Sequence, residues 1–263
     1  MSHEMPVIGR RIERHGQVGS TNDLARARAR ADEPEGLVII AEEQVIGRGR
    51  LGRGWAAPPG SSLLSSTLLR PTWLPPDAAF TLTMLAGVAL CEATEQAAPP
   101  LRAALKWPND LLLPASPMPA APLRKAAGIL SELVLVDGQI TYVILGIGVN
   151  VTWSPTGIVD CRDLALSATS VSAAAGRLIE RDALLAALLA RLDTRYHELR
   201  LGRRAALFDA WRARLTTLGQ HVTVATSGGP INGLAEDVTP DGALRLRGHD
   251  GIITTITAGD VSA

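Results

Sequence analysis

The chain has 263 residues, 46% of them hydrophobic and 20% charged, with a formal net charge of zero. That is ample length for a buried core and one or two domains, and the balanced charge gives no whole-protein field favouring nucleic acid or an anionic membrane. Two cysteines without C-x-x-C spacing exclude a disulfide framework and read as buried thiols of a cytoplasmic protein. Five scattered histidines exclude a zinc site.

In chain order, Ser20-Thr21-Asn22 precedes a helical segment over residues 23 to 31 and suits an N-cap, a ligand contact or both. Residues 36 to 41, GLVIIA, form a buried-strand run leading into Gln44 and the loop IGRGRLGRGW, residues 46 to 55. The run from Gly47 to Gly52 matches GxGxxG, a fingerprint that requires a helix at its exit. Here the exit is Trp55-Ala-Ala-Pro58-Pro59-Gly60, which prevents that helix and rules out a dinucleotide fold. The loop carries Arg48, Arg50 and Arg53, and no Asp or Glu occurs from Gln44 to Pro76. Arginines among glycines suit an anionic ligand approached closely by backbone; a solvated basic or nucleic-acid-binding segment is the competing reading.

Residues 61 to 69 read as a strand, 77 to 96 as a core helix stopped by Pro99-Pro100, and 101 to 106 as a short strand ending at KWPND, residues 106 to 110. The longest apolar run, 78 to 91, is shorter than the roughly 18 residues of a membrane span, and no signal peptide is expected. Residues 114 to 122 hold four prolines and read as a surface loop. Two apolar runs, 125 to 136 and 139 to 151, meet at Asp137-Gly138 and predict an antiparallel hairpin. Gly146 and Gly148 in the second run accommodate either a bulge or a close neighbour. Leucines at helical spacing from Arg181, a helix over 203 to 215, and short strands at 221 to 225, 231 to 236, 243 to 247 and 252 to 257 complete the chain. The domains expected are 1–217, an α+β body, and 218–263, a small β-barrel. Of 26 basic residues only Lys106 and Lys125 are lysine, so a compact ammonium is expected to matter at those positions.

GRGR-x-GR-x-W, KWPND, K-x-x-G-I-L-x-E from Lys125 to Glu132, and G-x-G-x-N from Gly146 to Asn150, in this order, resemble biotin protein ligase over residues 16 to the C-terminus. The resemblance implies a mixed β-sheet fold related to class II aminoacyl-tRNA synthetases, followed by an SH3-like barrel. It implies a two-step reaction: biotin, ATP and magnesium give biotinyl-5′-AMP, which acylates one lysine of a biotin carboxyl carrier domain of an acyl-CoA or pyruvate carboxylase. A lipoate or octanoate ligase or transferase of the same superfold is the alternative. No tightly bound prosthetic group, no nucleic acid and no membrane partner are expected, and monomer and homodimer stay open. Residues 1 to 15 are too short for the helix-turn-helix that some relatives carry, so a ligase without repressor function is expected.

Carried over position by position, the resemblance gives Ser20, Thr21, Asn22, Gln44, Gly47, Arg48, Gly49, Arg50, Lys125, Gly128, Gly146 and Gly148 to biotin. It gives Arg48, Arg50, Arg53, Trp55, Lys106, Trp107, Asn109 and Asn150 to ATP or the adenylate. Lys125, Arg50 and Asp110 are the catalytic candidates. Asp110 is further a candidate magnesium ligand acting through the phosphates, a general base, or the residue that orients Lys106. Two anions must meet in the first step, so positive charge at Lys125 and the arginines suits that chemistry. A loop closing over a water-sensitive anhydride suits the glycines. Trp55 and Trp107 offer flat surfaces at the site or simply fill the core.

Overall fold

The computed structural model describes residues 6–159 and 162–262; the expectation of a buried Cys161 lies outside them. In chain order the elements are β1 Arg11–Val18, α1 Thr21–Arg30, β2 Leu37–Gln44, β3 Ser62–Leu69, α2 Thr81–Ala97, β4 Ala104–Lys106, β5 Asp110–Pro114, β6 Leu123–Val136 and β7 Gln139–Asn150. There follow β8 Ile158–Val159, β9 Arg162–Asp163, α3 Leu164–Ser167, α4 Val171–Ala175, α5 Arg181–Arg200, α6 Arg204–Arg212, β10 His221–Thr226, β11 Gly229–Val238, β12 Leu244–Arg247, β13 Ile253–Ile256 and β14 Asp260–Ser262. The architecture is α+β, as expected from the sequence.

The main sheet runs β1-β2-β3-β7-β6-β5-β4. β1 is parallel to β2 and the other pairings are antiparallel. β6 and β7 meet at Asp137 and Gly138, both with positive φ, as the two-residue turn demands. One sheet face takes α1, whose Ala25 and Ala29 pack against Leu37, Ile39, Leu68, Tyr142 and Ile144. Alanines let the helix lie close, while its Arg26 and Arg28 reach back to Glu132 on β6 and Glu13 on β1. The other face takes α2, apolar on nearly all sides and buried accordingly among the sheet, α5 and α6. The continuous stretch Pro76–Ala97 is in fact long and apolar enough to span a membrane, but 78% of its apolar 18-residue window is buried within the fold, which makes it the core helix.

The C-terminal strands form an antiparallel sheet ordered β13-β12-β11-β10-β14. Its inward side chains, Val224, Leu244, Leu246 and Val261 among them, are continuous with the main core. Trp107 stitches the two parts together: it is 1% exposed, and its indole N–H donates to Gly242 O at 2.9 Å. Gly242 has φ +90 and lies against the Phe80 ring, where a Cβ would come within 2.0 Å. The KWPND turn is thereby fixed against the C-terminal unit.

Five strands escaped the sequence reading, β8 and β9 among them at two residues each. β1, RIERHGQV, is a sheet edge with exposed charges and no apolar alternation. β5 and β14 are five and three residues long, too short for a periodic signal.

Candidate functional site

β6 and β7 run side by side with Gly128 paired to Gly148 and Leu130 to Gly146. The glycines are there because something else occupies their side-chain space. A Cβ on Gly146 would lie 2.4 Å from Asn22 Oδ1, and one on Gly148 would lie 2.7 Å from the Trp55 ring. This bare strip of backbone is the floor of the site.

One wall is built where β1 ends and α1 begins. Ser20 is the N-cap residue of α1, yet its side chain makes no capping bond; Ser20, Thr21 and Asn22 are all buried. Thr21 donates from its backbone N–H and its hydroxyl to Gln44 Oε1, at 2.7 and 3.0 Å. Asn22 Nδ2 donates to Glu132 Oε2 at 2.6 Å. Ser66, on β3, lies 2.7 Å from Thr21 Oγ1 and 2.5 Å from Asn22 Oδ1. Ser66 and Glu132 carry no assigned role from the sequence. A signal for Ser66 was present: serines recur among the leucines of the strand-like run 61 to 69, and a hydroxyl buried in a strand usually finds a partner.

The opposite wall is the Arg/Gly loop, folded back on itself. Arg48 bridges Gly54, Trp55 N donates to Gly47 O at 2.9 Å, and Gly49 N donates to Arg53 O at 2.7 Å. Gly47 is required there, since a Cβ would fall 2.1 Å from Trp55 O. The loop lacks acids in sequence, but the fold supplies them. Arg48 is bidentate to Asp23, at 2.6 and 2.8 Å, and 3.7 Å from Glu132. The Arg48 fork is matched here to a carboxylate and ties the loop to α1. The bond from Arg48 holds the Asp23 carboxyl below its usual value. Arg53 pairs with Asp260 at 3.1 Å. Arg50 lies 3.3 Å from Asn109 Oδ1 and 3.5 Å from Gly259 O, and burial lowers the pKa of its guanidinium. A cleft of about 370 Å³ opens beside the loop, bordered by Arg50, Phe80, Asn109, Ser131, Glu132 and Thr257.

Lys125, on β6, reaches Asp110 Oδ1 at 2.7 Å and lies 5.8 Å from the centre of the Trp55 ring, above Gly128. Asp110 thus orients Lys125; Lys106 is its register partner across the β4–β5 hairpin. Asn109 clamps the edge of β6, donating to Ile129 O at 2.7 Å while its own carbonyl accepts from Ile129 N.

Two expected adenylate residues are placed otherwise. Trp107 is a core residue joining the two units, so the flat surface at the site is Trp55 alone of the pair. Asn150 is 2% exposed and its amide donates to Thr169 O at 3.0 Å, which braces the segment after β7; its Oδ1 is buried without a hydrogen-bond partner among the described residues.

Among the described residues no three His, Cys, Asp or Glu side chains gather as a metal cage. A single carboxylate at Asp110 fits magnesium held chiefly by substrate phosphates.

The biotin/lipoate A/B protein ligase family matches residues 16–150, and the biotin protein ligase C terminal domain matches residues 217–263. The biotin--[acetyl-CoA-carboxylase] ligase of Mycobacterium tuberculosis is 35% identical over 257 residues, covering 96% of this chain and 88% of that protein. The bifunctional ligase/repressor BirA of Bacillus subtilis is 31% identical over 246 residues, covering 94% and 72%. The fold matches that of the Aquifex aeolicus biotin protein ligase in complex with biotin and ATP, with a TM-score of 0.76, 24% identity, and coverage of 96% of this chain and 98% of that one. On these matches, the chain belongs to the biotin protein ligase branch of the biotin/lipoate A/B protein ligase family.

Proposed function

We propose that this chain joins biotin to a carrier-protein lysine at the expense of ATP, by way of biotinyl-5′-AMP. The observation that carries the site assignment is Lys125: one of two lysines in the chain, it stands at the edge of the glycine floor, with its ammonium held by Asp110.

In the first step the biotin carboxylate oxygen attacks the α-phosphorus of ATP and pyrophosphate leaves. Lys125 and Arg50 supply the positive charge that lets the two anions approach, in a half-buried setting where that charge is only partly screened. Asp110 keeps the Lys125 ammonium aimed along the floor. Asp110 would be the protein's contact to a magnesium ion held chiefly by the ATP phosphates, and the ion would supply charge that offsets the leaving pyrophosphate. Biotin displaces the Trp55 ring from over Gly128 and Gly148 and sets its ureido ring against Thr21, Asn22 and Gln44, beside Gly146. Trp55, whose buried indole N–H has no acceptor among the described residues, closes the slot and can donate to an incoming oxygen. The Arg/Gly loop excludes water from the anhydride. In the second step the ε-amine of the acceptor lysine attacks the acyl carbon, the amide forms, and AMP leaves. The acceptor in this reading is the biotin carboxyl carrier domain of a carboxylase, with 1–217 as the catalytic unit, 218–263 as the barrel, and the cytoplasm as its place of work.

The test is pyrophosphate exchange into ATP with biotin, lipoate or octanoate as the acid, for wild type and Lys125→Ala. Exchange with biotin, lost in the variant, is expected. Exchange with lipoate alone would transfer the chain to the lipoate branch, and exchange with no acid would overturn the reading.

A further inference from the structure

Ser66 has no exposed surface, and its hydroxyl joins the two halves of the α1 wall. The ends of the chain of contacts through it have fixed polarity. Glu132, held by Arg26 at 2.7 Å, is a carboxylate and accepts from Asn22 Nδ2, so Asn22 must turn its carbonyl oxygen toward Ser66. At the other end the Thr21 backbone N–H can only donate, so the Gln44 atom it meets is the carbonyl oxygen. That leaves the Gln44 NH2 as a donor on the loop side, near Gly47. Between these ends lie three oxygen–oxygen contacts: Thr21 to Gln44, Thr21 to Ser66, and Ser66 to Asn22. Two hydroxyls supply only two protons for them.

We infer that Ser66 is a positioning residue that sets specificity for the acid: with Glu132 it fixes a wall presenting one amide donor beside a run of oxygens one proton short. That pattern complements a cyclic urea, whose carbonyl accepts from Gln44 and whose adjacent N–H supplies the missing proton. An acyl chain without N–H leaves the shortage in place, and an unsatisfied buried polar contact is costly. The inference rests on the biotin reading and names what in this chain enforces it.

The experiment compares wild type, Ser66→Ala and Ser66→Cys, whose thiol is slightly larger than the hydroxyl, in pyrophosphate exchange. Ser66→Ala is expected to raise the biotin KM about tenfold, the loss of roughly one well-placed hydrogen bond. The kcat, the ATP KM and the thermal midpoint should stay near wild type, and Ser66→Cys, a weak donor, should fall between. Desthiobiotin and 2-iminobiotin, which both keep a ring N–H, should carry the same Ser66→Ala penalty. A biotin KM within twofold of wild type, or a penalty lost with desthiobiotin, would overturn the inference. So would biotin and ATP constants rising together as the thermal midpoint falls, which marks a packing defect. Wild-type protein lacking biotin-dependent exchange is a separate result that removes the biotin reading and this inference with it.

Discussion

On the α1 side of the cleft, Thr21, Asn22 and Ser66 are buried and bonded to one another, to Gln44 and to Glu132. Across from them the Arg/Gly loop is tethered by ion pairs whose side chains are 21–45% exposed: Arg48 to Asp23, and Arg53 to Asp260. A buried hydrogen-bond network has few alternative arrangements and holds its shape without ligand. Half-exposed ion pairs contribute little each, typically up to about 1 kcal/mol, and exchange one carboxylate for another anion cheaply. The α1 wall is therefore set in advance, while the loop rests on half-exposed ion pairs that are easily exchanged. That division suits an enzyme that must select one small acid and then seal a reactive anhydride.

The largest expected effect tests neither wall but the charge between them. Lys125→Ala should lower the exchange rate by about a hundred- to a thousandfold, in line with loss of one charge-stabilising group, with little change in thermal midpoint because Lys125 is partly exposed; a change under tenfold would remove Lys125 from the chemistry. Next, Gly146→Ala places a methyl 2.4 Å from Asn22 Oδ1 and attacks the fixed wall directly. Crowding a packed site costs about 1–3 kcal/mol, so calorimetric biotin affinity should drop by roughly five- to a hundredfold. Unchanged affinity would show that the wall yields, and the contrast with the loop would disappear.

Asp260→Asn frees Arg53 and probes the loop. Its effect on stability should stay within about 1 kcal/mol and vanish at high salt, while limited proteolysis within residues 47–55 quickens. A cost persisting in high salt would mean that the loop is held as firmly as the wall. The smallest effect is in pH. The Asp23 carboxyl is held below its ordinary value of 3.8 by Arg48. A depressed carboxyl contributes stability that is fully present above its ordinary value and lost as pH falls through the lowered one. Denaturation profiles of wild type and Asp23→Asn should therefore differ by a constant amount above about pH 5 and converge toward pH 2. Divergence as the pH falls would contradict the Arg48–Asp23 pair.

Much of this was legible along the chain. The Asp137-Gly138 turn, the α2 core helix and the C-terminal strands follow from local pattern, because turn chemistry and apolar period are short-range properties. The motif glycines and Lys125, read as a place of close approach and positive charge, are brought together by β6 and β7. What local pattern misses is a residue whose role is defined by a partner far away. The Arg/Gly loop has no acid nearby in sequence, yet Asp23 and Asp260 meet it from either end of the chain. Trp107 sits inside a motif but serves the junction with Gly242, and Asn150 spends its amide on Thr169.

The sequence by itself determined the order of elements, the family and the chemical character of the site, since these depend on residue types at short spacings. Tertiary structure alone decided which arginine is neutralised by Asp23, that Asp110 orients Lys125, and that Ser66 links Thr21 to Asn22. Those are through-space contacts between strands and helices distant in the chain, and hydrogen-bond polarity is fixed only when both partners are in place.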